Sequence, residues 1–174
     1  MVRRAEKSDS IQQASIPTKD GVFTAYFSSR GLAKLEFPVE VGLAPLLGST
    51  YELALDQSRW LELTRSALER VLEARAPLRL PPLDLSSGTA FQRSVWEAMR
   101  EIPPGKTKSY GDVARAIGRP KAVRAVGQAC GANPIPLFVP CHRVVAAGGR
   151  LGGFSGGLPL KRKLLEREGV RFSQ

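Results

Sequence analysis

Histidine is almost missing from these 174 residues, His142 being the single one, and cysteine is nearly as scarce, with Cys130 and Cys141 alone. A structural zinc site usually takes four Cys/His ligands. Counting therefore excludes a cysteine-rich metal centre, and no acidic cluster offers a carboxylate-only one, so neither a metal nor a cofactor is expected. A bridge between the two cysteines fits on paper, but nothing indicates an oxidising compartment, and free thiols are expected. Long apolar runs are lacking too: stretches such as Ile135 to Val139 are broken by proline and too short to cross a bilayer. The start, Met1 to Gln13, is charged and polar, without the apolar stretch of a secretion signal. A cytoplasmic location is expected, with the nucleoid if the source is prokaryotic, and no membrane partner. The pairs Gly148-Gly149 and Gly152-Gly153 have no P-loop lysine pattern beside them and read as loop.

Acid is what the second half lacks. Residues 1–87 carry 11 basic and 11 acidic side chains, whereas residues 88–174 carry 15 and 5, so the whole excess of +10 lies there. Such a surface concentrates and steers polyanions, nucleic acid being the commonest; a soluble basic face without a partner is the plainer alternative. A hydrophobic content of 43% is enough for a real core.

In the first half, Val22 to Phe27 and Leu32 to Phe37 flank Ser28-Ser29-Arg30-Gly31 and predict a hairpin. Asp56 predicts a helix cap, with Trp60, Leu61, Leu63, Leu68, Val71 and Leu72 on the apolar face, Ala74 near its end and Pro77 as its stop. Leu78 to Leu85 reads as extended, and Pro81-Pro82 argues for an edge or linker. Ser86 to Thr89 is a junction, because composition and charge both change there. Thr89 then caps a helix containing Phe91, Val95, Trp96 and Met99 that ends before Ile102-Pro103-Pro104-Gly105. The expected organisation is a small α/β domain over residues 1–86 and a mostly helical one over 87–174.

Ser109 to Ile117 predicts a short helix and Lys121 to Cys130 a second, with Gly118 turning the chain between them. This suits a helix-turn-helix, although an ordinary αα corner fits the segment as well. The small residues Ala122, Ala125, Val126 and Ala129 allow close approach to another surface, and few long polar side chains are present to read bases, so contacts to the nucleic-acid backbone are expected. Trp60 and Trp96 stand at core spacing, and Cys130 reads as a helix residue packed near the pocket. Lys161-Arg162-Lys163 stays open between a solvated face and a phosphate contact.

Three prolines stiffen the segment Asn133-Pro134-Ile135-Pro136-Leu137-Phe138-Val139-Pro140 ahead of Cys141-His142. A cysteine beside the one histidine is a candidate nucleophile, since the thiolate is the reactive form and a neighbouring base can create it. A buried structural cysteine remains the alternative on that pair alone.

Pro140-Cys141-His142-Arg143-Val144 resembles the active-site signature of the methylated-DNA–protein-cysteine methyltransferases, the O6-alkylguanine-DNA alkyltransferases. It stands in matching order with Phe91 to Trp96, the Pro-Gly-Lys loop before Ser109-Tyr110-Gly111, Arg124-Ala125-Val126-Gly127, Asn133-Pro134, Ser155-Gly156-Gly157-Leu158 and Leu164-Leu165 before Glu168-Gly169. The likeness is strong over residues 89–170 and holds only in outline before them. It implies a small ribonuclease-H-like sheet plus helix, then a winged-helix-like domain with a helix-turn-helix. It implies that Cys141 accepts the alkyl group, with His142 as the base acting through a water, Glu168 orienting His142, and Asn133 bracing the turn. By the same resemblance Tyr110, Val144, Phe154, Ser155 and Gly156 hold the base, and Arg124, Ala125, Ser109, Lys121 and Gln128 meet DNA, Arg124 filling the stack from which the nucleotide is flipped. The implied partner is duplex DNA carrying O6-alkylguanine, with O4-alkylthymine a poorer substrate, for a monomer that needs no obligate protein partner and acts once per molecule.

Phe154 departs from the family, whose members often have tyrosine there. The first half also lacks the zinc ligands of some relatives. Three rival readings remain: a helix-turn-helix transcription regulator, a lesion-binding protein without transfer, and a cysteine hydrolase. Alkyl transfer is expected over all three because the acceptor cysteine is present in its full setting.

Overall fold

The computed structural model describes residues 11–38 and 55–172. The charged start on which the secretion reading rests lies outside them, apart from residues 11–13. Three antiparallel strands, β1 (Gln12–Thr18), β2 (Gly21–Ser28) and β3 (Gly31–Glu36), form one sheet in that order. The predicted hairpin is β2–β3, with Ser28 opposite Gly31. Alternation buries Phe23, Ala25 and Phe27 of β2 on one face. Gly31 is required: its φ is +146°, and a Cβ there would lie 2.2 Å from the Pro82 carbonyl oxygen. The sequence reading did not anticipate β1. Its residues are mostly polar, only Ile16 is buried, and Pro17 removes a backbone donor, which suits an edge strand and hides the period-two signal.

Helix α1 (Leu55–Leu72) packs on the sheet through Thr64, Ala67, Leu68, Val71 and Leu72. Asp56 lies in its first turn, one residue inside the helix it was expected to cap. Its end is set differently from expectation. Ala74 turns into the left-handed region at φ 59°, its N–H and that of Arg75 close on the carbonyls of Val71 and Arg70, and the helix is over before Pro77 is reached. The Pro81-Pro82 segment then runs along the edge of β3, with the Leu32 N–H donating to Pro82 and the Asp84 N–H donating to Leu32, both at 2.8 Å.

Helix α2 (Ala90–Arg100) starts on a complete capping box between Thr89 and Gln92, a device worth about 0.5–2 kcal/mol. It buries Val95, Trp96 and Met99, and the Trp96 indole donates to the Ala129 carbonyl at 2.8 Å. After β4 (Lys108–Ser109), helix α3 (Tyr110–Ala116) has its own capping box from Ser109 and Asp112. Gly118, at φ +69°, turns the chain into α4 (Val123–Gly131). Helix α4 begins two residues later than predicted, because Pro120 and Lys121 form a turn closed by the Ala122 N–H on the Arg119 carbonyl. Strand β5 (Val144–Val145) pairs in parallel with β4, and α5 (Leu158–Arg167) closes the molecule.

One buried cluster runs through both halves, from Ile16 in β1 to Leu164 in α5. Polar ties join them as well. The Leu35 N–H of β3 donates to the Pro134 carbonyl at 2.9 Å. Asp20, in the β1–β2 turn, receives Lys163 at 2.6 Å and Arg167 at 2.6 and 3.0 Å from α5, and Arg167 also donates to the Leu72 carbonyl at 3.0 Å. Among the described residues no helix is long and apolar enough to cross a membrane.

The Asp20 carboxylate is only 3% exposed, so its partners replace water rather than compete with it. Asp20→Asn is expected to cost about 1–3 kcal/mol, read as a lower urea midpoint at pH 7 with an unchanged slope. An unchanged midpoint would mean that solvent screens the cluster and that it contributes nothing.

Candidate active site

The chain reaches Cys141 through a segment with almost no freedom. Ile135, Leu137, Phe138 and Val139 are buried, and Leu137 sits at φ 73°, a strained value for a residue with a side chain. Asn133 holds this turn from inside. Its Oδ1 accepts the Ile135 N–H at 3.0 Å, while its Nδ2 donates to the Val139 carbonyl at 2.7 Å and faces the Cys141 sulfur at 3.2 Å. Cys141 to Arg143 then make a single 3-10 turn, which points neighbouring side chains in different directions.

Cys141 is 5% exposed. Burial pushes its thiol up, while the Asn133 amide and the Lys161 charge favour the thiolate. The resting group is therefore a thiol in need of a base. His142 is fully buried, and its Nε2 lies 3.1 Å from Glu168 Oε1. Burial lowers its pKa, opposed by Glu168, so the ring is neutral at pH 7. An ionised carboxylate only accepts, which puts the ring proton on Nε2 and the lone pair on Nδ1. That Nδ1 is buried and has no hydrogen-bond partner among the described residues.

Glu168 caps the C-terminal end of α5 and is 2% exposed at its side chain. Burial opposes its charge. Hydrogen bonds from His142 and Arg143, together with the Arg143 charge, outweigh that and bring the carboxyl down to about 2. Arg143 reaches Oε1 at 2.8 Å and anchors its other arm on the Ile102 carbonyl at 2.7 Å, while the Gly105 N–H donates to Oε2 at 3.1 Å.

Lys161 corrects the sequence reading. It is neither solvated nor able to meet a phosphate: it is 0% exposed, and its ammonium donates to the carbonyls of Val144 at 2.6 Å and Gly153 at 3.1 Å. Burial lowers its pKa to about 8, with Cys141 and Cys130 pulling the other way. One buried cation thus ties the strand after Cys141 to the glycine loop. Lys163, although exposed, is paired with Asp20, and Arg162 lies in the open over the Phe172 ring.

A pocket of about 260 Å³ opens onto the sulfur, lined by Tyr110, Gly127, Cys130, Gly131, Cys141, Gly153, Phe154 and Ser155. Of the predicted base-holding residues it gathers Tyr110, Phe154 and Ser155. Val144 is not among them, its side chain being sealed in β5, and Gly156 lies behind Phe154. The Tyr110 hydroxyl rests against Gly152 and Gly153, and burial raises its pKa, which keeps it a proton donor. Larger clefts of about 620 and 550 Å³ lie beside Arg30 and Trp60, but their linings contain neither cysteine nor histidine. Cys130 and Cys141 are both free thiols; Cys130 points to the Met99 sulfur, and burial raises it to about 12. Lys121, Arg124 and Gln128 are exposed around α4 and Ala125 is half-buried, while the Ser109 side chain is spent on the α3 cap. Among the described residues no group of three or more His, Cys, Asp or Glu could hold a metal.

The family model described as 6-O-methylguanine DNA methyltransferase, DNA binding domain, matches residues 90–170. A methylated-DNA–protein-cysteine methyltransferase of Methanosarcina acetivorans is 50% identical over 103 residues, covering 58% of this chain and 66% of that protein. One of Mycobacterium tuberculosis H37Rv is 56% identical over 89 residues, 51% of this chain and 53% of that protein. These matches thus span about half to two-thirds of the relatives' length. The crystal structure of Mycobacterium tuberculosis OGT in complex with DNA superposes with a TM-score of 0.71 at 36% identity, covering 90% of this chain and 91% of that one. The chain belongs to the methylated-DNA–protein-cysteine methyltransferase family. The fold of this family, a small sheet-containing part followed by a helical part, is the one seen here.

Two outcomes follow from the buried charges. Glu168 and Asp20 each titrate near 2 when folded, against ordinary values of 4.5 and 3.8. Their contribution is complete above about pH 4.5 and is lost as pH falls towards 2, because the unfolded chain takes up protons first. Urea midpoints are expected to decline over that window, and a flat profile would contradict the two assignments. Lys161→Met leaves two buried carbonyls unpaired and is expected to cost about 1–3 kcal/mol. A melting temperature at or above that of the parent would show that those bonds do not matter.

Proposed function

We propose that this chain repairs duplex DNA by moving the alkyl group of O6-alkylguanine onto Cys141, once and irreversibly. The observation that carries this reading is a sulfur at the floor of a pocket, beside a neutral histidine whose buried Nδ1 is open and whose Nε2 is held by an ionised carboxylate. A water between Nδ1 and the sulfur passes the thiol proton to His142, and Glu168 stabilises the imidazolium that forms. The thiolate attacks the alkyl carbon, the carbon–O6 bond breaks, its electron pair returns to the guanine, and Tyr110 donates to the leaving base. Asn133 and Lys161 hold and compensate the charged sulfur. The product is a thioether, and none of the groups around it hydrolyses such a bond.

A stacked guanine cannot present its O6 substituent to this pocket, so the nucleotide is flipped, at a cost of a few kcal/mol. Arg124, exposed near the start of α4, fills the gap, and Lys121, Gln128 and Ala125 meet the backbone, while Ser109, whose donors are engaged by Asp112, acts by capping α3. Of the small residues expected to approach DNA, Val126 and Ala129 are buried in the core, while Ala122 and Ala125 stay partly exposed beside Arg124 and Gln128, which suits a minor groove. Phe154 makes one pocket wall apolar, which leaves Ser155 and backbone N–H groups as polar contacts; Gly156 and Val144 act by shaping the wall from behind. In this reading O4-alkylthymine is a poorer substrate, and the protein works as a cytoplasmic monomer with residues 1–86 and 87–174 as its two domains. The first is ribonuclease-H-like, supported by its antiparallel sheet and one packed helix. The second is winged-helix-like, supported by the α3–α4 pair beside β4 and β5. A regulator that used α4 alone would leave the thiol, the relay and the pocket without purpose.

Intact-mass measurement after incubation with duplex DNA carrying O6-methylguanine is the direct test. One methyl group is expected on Cys141, and none on Cys141→Ala. An unchanged mass for folded parent protein would sink the reading.

A further inference from the structure

We propose that Phe37, which follows β3 in the first half of the chain, sets how large an alkyl group the pocket accepts. This rests on the alkyl-transfer reading of that pocket. Phe37 does not line the pocket; it acts through Phe154, which does.

A wall side chain yields to a bulky guest only if there is space behind it. Behind Phe154 stands a second ring. The Phe37 ring meets it edge-on, with centroids 5.2 Å apart and planes at 62°. Phe37 in turn rests on Phe23, at 6.2 Å, and Phe23 is wholly buried in the middle of β2. The Phe154 and Phe37 rings close over Gly156 so tightly that a Cβ there would lie 2.9 Å from each of them. The Lys161 ammonium stands 6.0 Å from the Phe154 centroid and is fixed by its two carbonyls. The pocket wall is therefore one end of a stack whose other end is the central strand of the sheet. A group larger than methyl that presses on Phe154 presses on that strand.

Phenylalanine rather than tyrosine at position 154 fits this role, since the ring is used as an apolar plate. An ordinary core residue at position 37 would affect stability and lower transfer of every alkyl group together. A positioning residue changes the ratio between groups instead.

The test compares transfer rates from the same duplex carrying either O6-methylguanine or O6-benzylguanine, read by intact mass, in the full-length parent, Phe37→Ala and Phe37→Trp. Phe37→Ala is expected to raise the benzyl-to-methyl ratio by about tenfold or more, the scale on which a hydrophobic pocket discriminates small differences in size. Phe37→Trp is expected to lower it, with methyl transfer near the parent rate in both. If the alanine variant fails to fold by thermal melting, the tryptophan variant carries the comparison alone. A ratio that stays put in folded variants overturns the role of Phe37 and leaves alkyl transfer standing. Parent protein that gains no methyl group overturns both.

Discussion

An ionised carboxylate in the interior is stable only if N–H groups replace the water it has given up, and Glu168 meets that condition from three directions. His142 comes from the active-site turn, Arg143 from the next position, and the Gly105 amide from the loop after α2. Each of these groups is fixed in turn by its bond to the carboxylate. Arg143 carries the tie onward to the Ile102 carbonyl, so the end of α5, the turn at Cys141 and the Pro103–Gly105 loop converge on two oxygen atoms. Without the charge on Glu168, the His142 ring would lose the contact that selects its tautomer and Arg143 would be left as an uncompensated buried cation.

Among the described residues, the first half of the molecule contributes no side chain to the pocket lining, yet it is not a bystander. Its sheet supplies the Phe23–Phe37 stack behind Phe154, its first turn supplies Asp20 to α5, and β3 donates a backbone bond to Pro134 beside Asn133. The three contacts reach three different parts of the site: the wall, the helix that ends in Glu168, and the turn that holds the sulfur. Ties of this kind provide rigidity, and rigidity is what the proposed in-line displacement requires.

What could be read in advance divides along physical lines. Local chemistry was legible: Thr89 announces a cap and makes a complete capping box, and Ser28 to Gly31 is the turn of β2–β3, whereas Ser109, read as the first residue of a helix, proves to be its cap. The motif around Cys141 led to the family. Signals that depend on distant partners were not visible. Lys161 in a basic run reads as surface, and only the fold shows that carbonyls from Val144 and Gly153 wait for it inside. Phe37 gives no hint of Phe154, more than a hundred positions away. Strand β1 has one buried side chain and a proline, so its pairing depends on β2 rather than on its own pattern. Ala74 ends α1 by taking a left-handed conformation that alanine seldom adopts, and sequence alone favoured the nearby proline.

The same amide nitrogen of Asn133 serves both the Val139 carbonyl and the Cys141 sulfur. A sulfur bearing a carbon group is a poorer acceptor than a thiolate and a larger object than a thiol, and the strained stretch at Leu137 leaves little slack to absorb the difference. In the proposed reaction, the history of the molecule is thus written into its own scaffold. On that proposal a used copy would differ from a fresh one in local order as well as in mass, because the nitrogen that braces this turn would have to choose between its two acceptors.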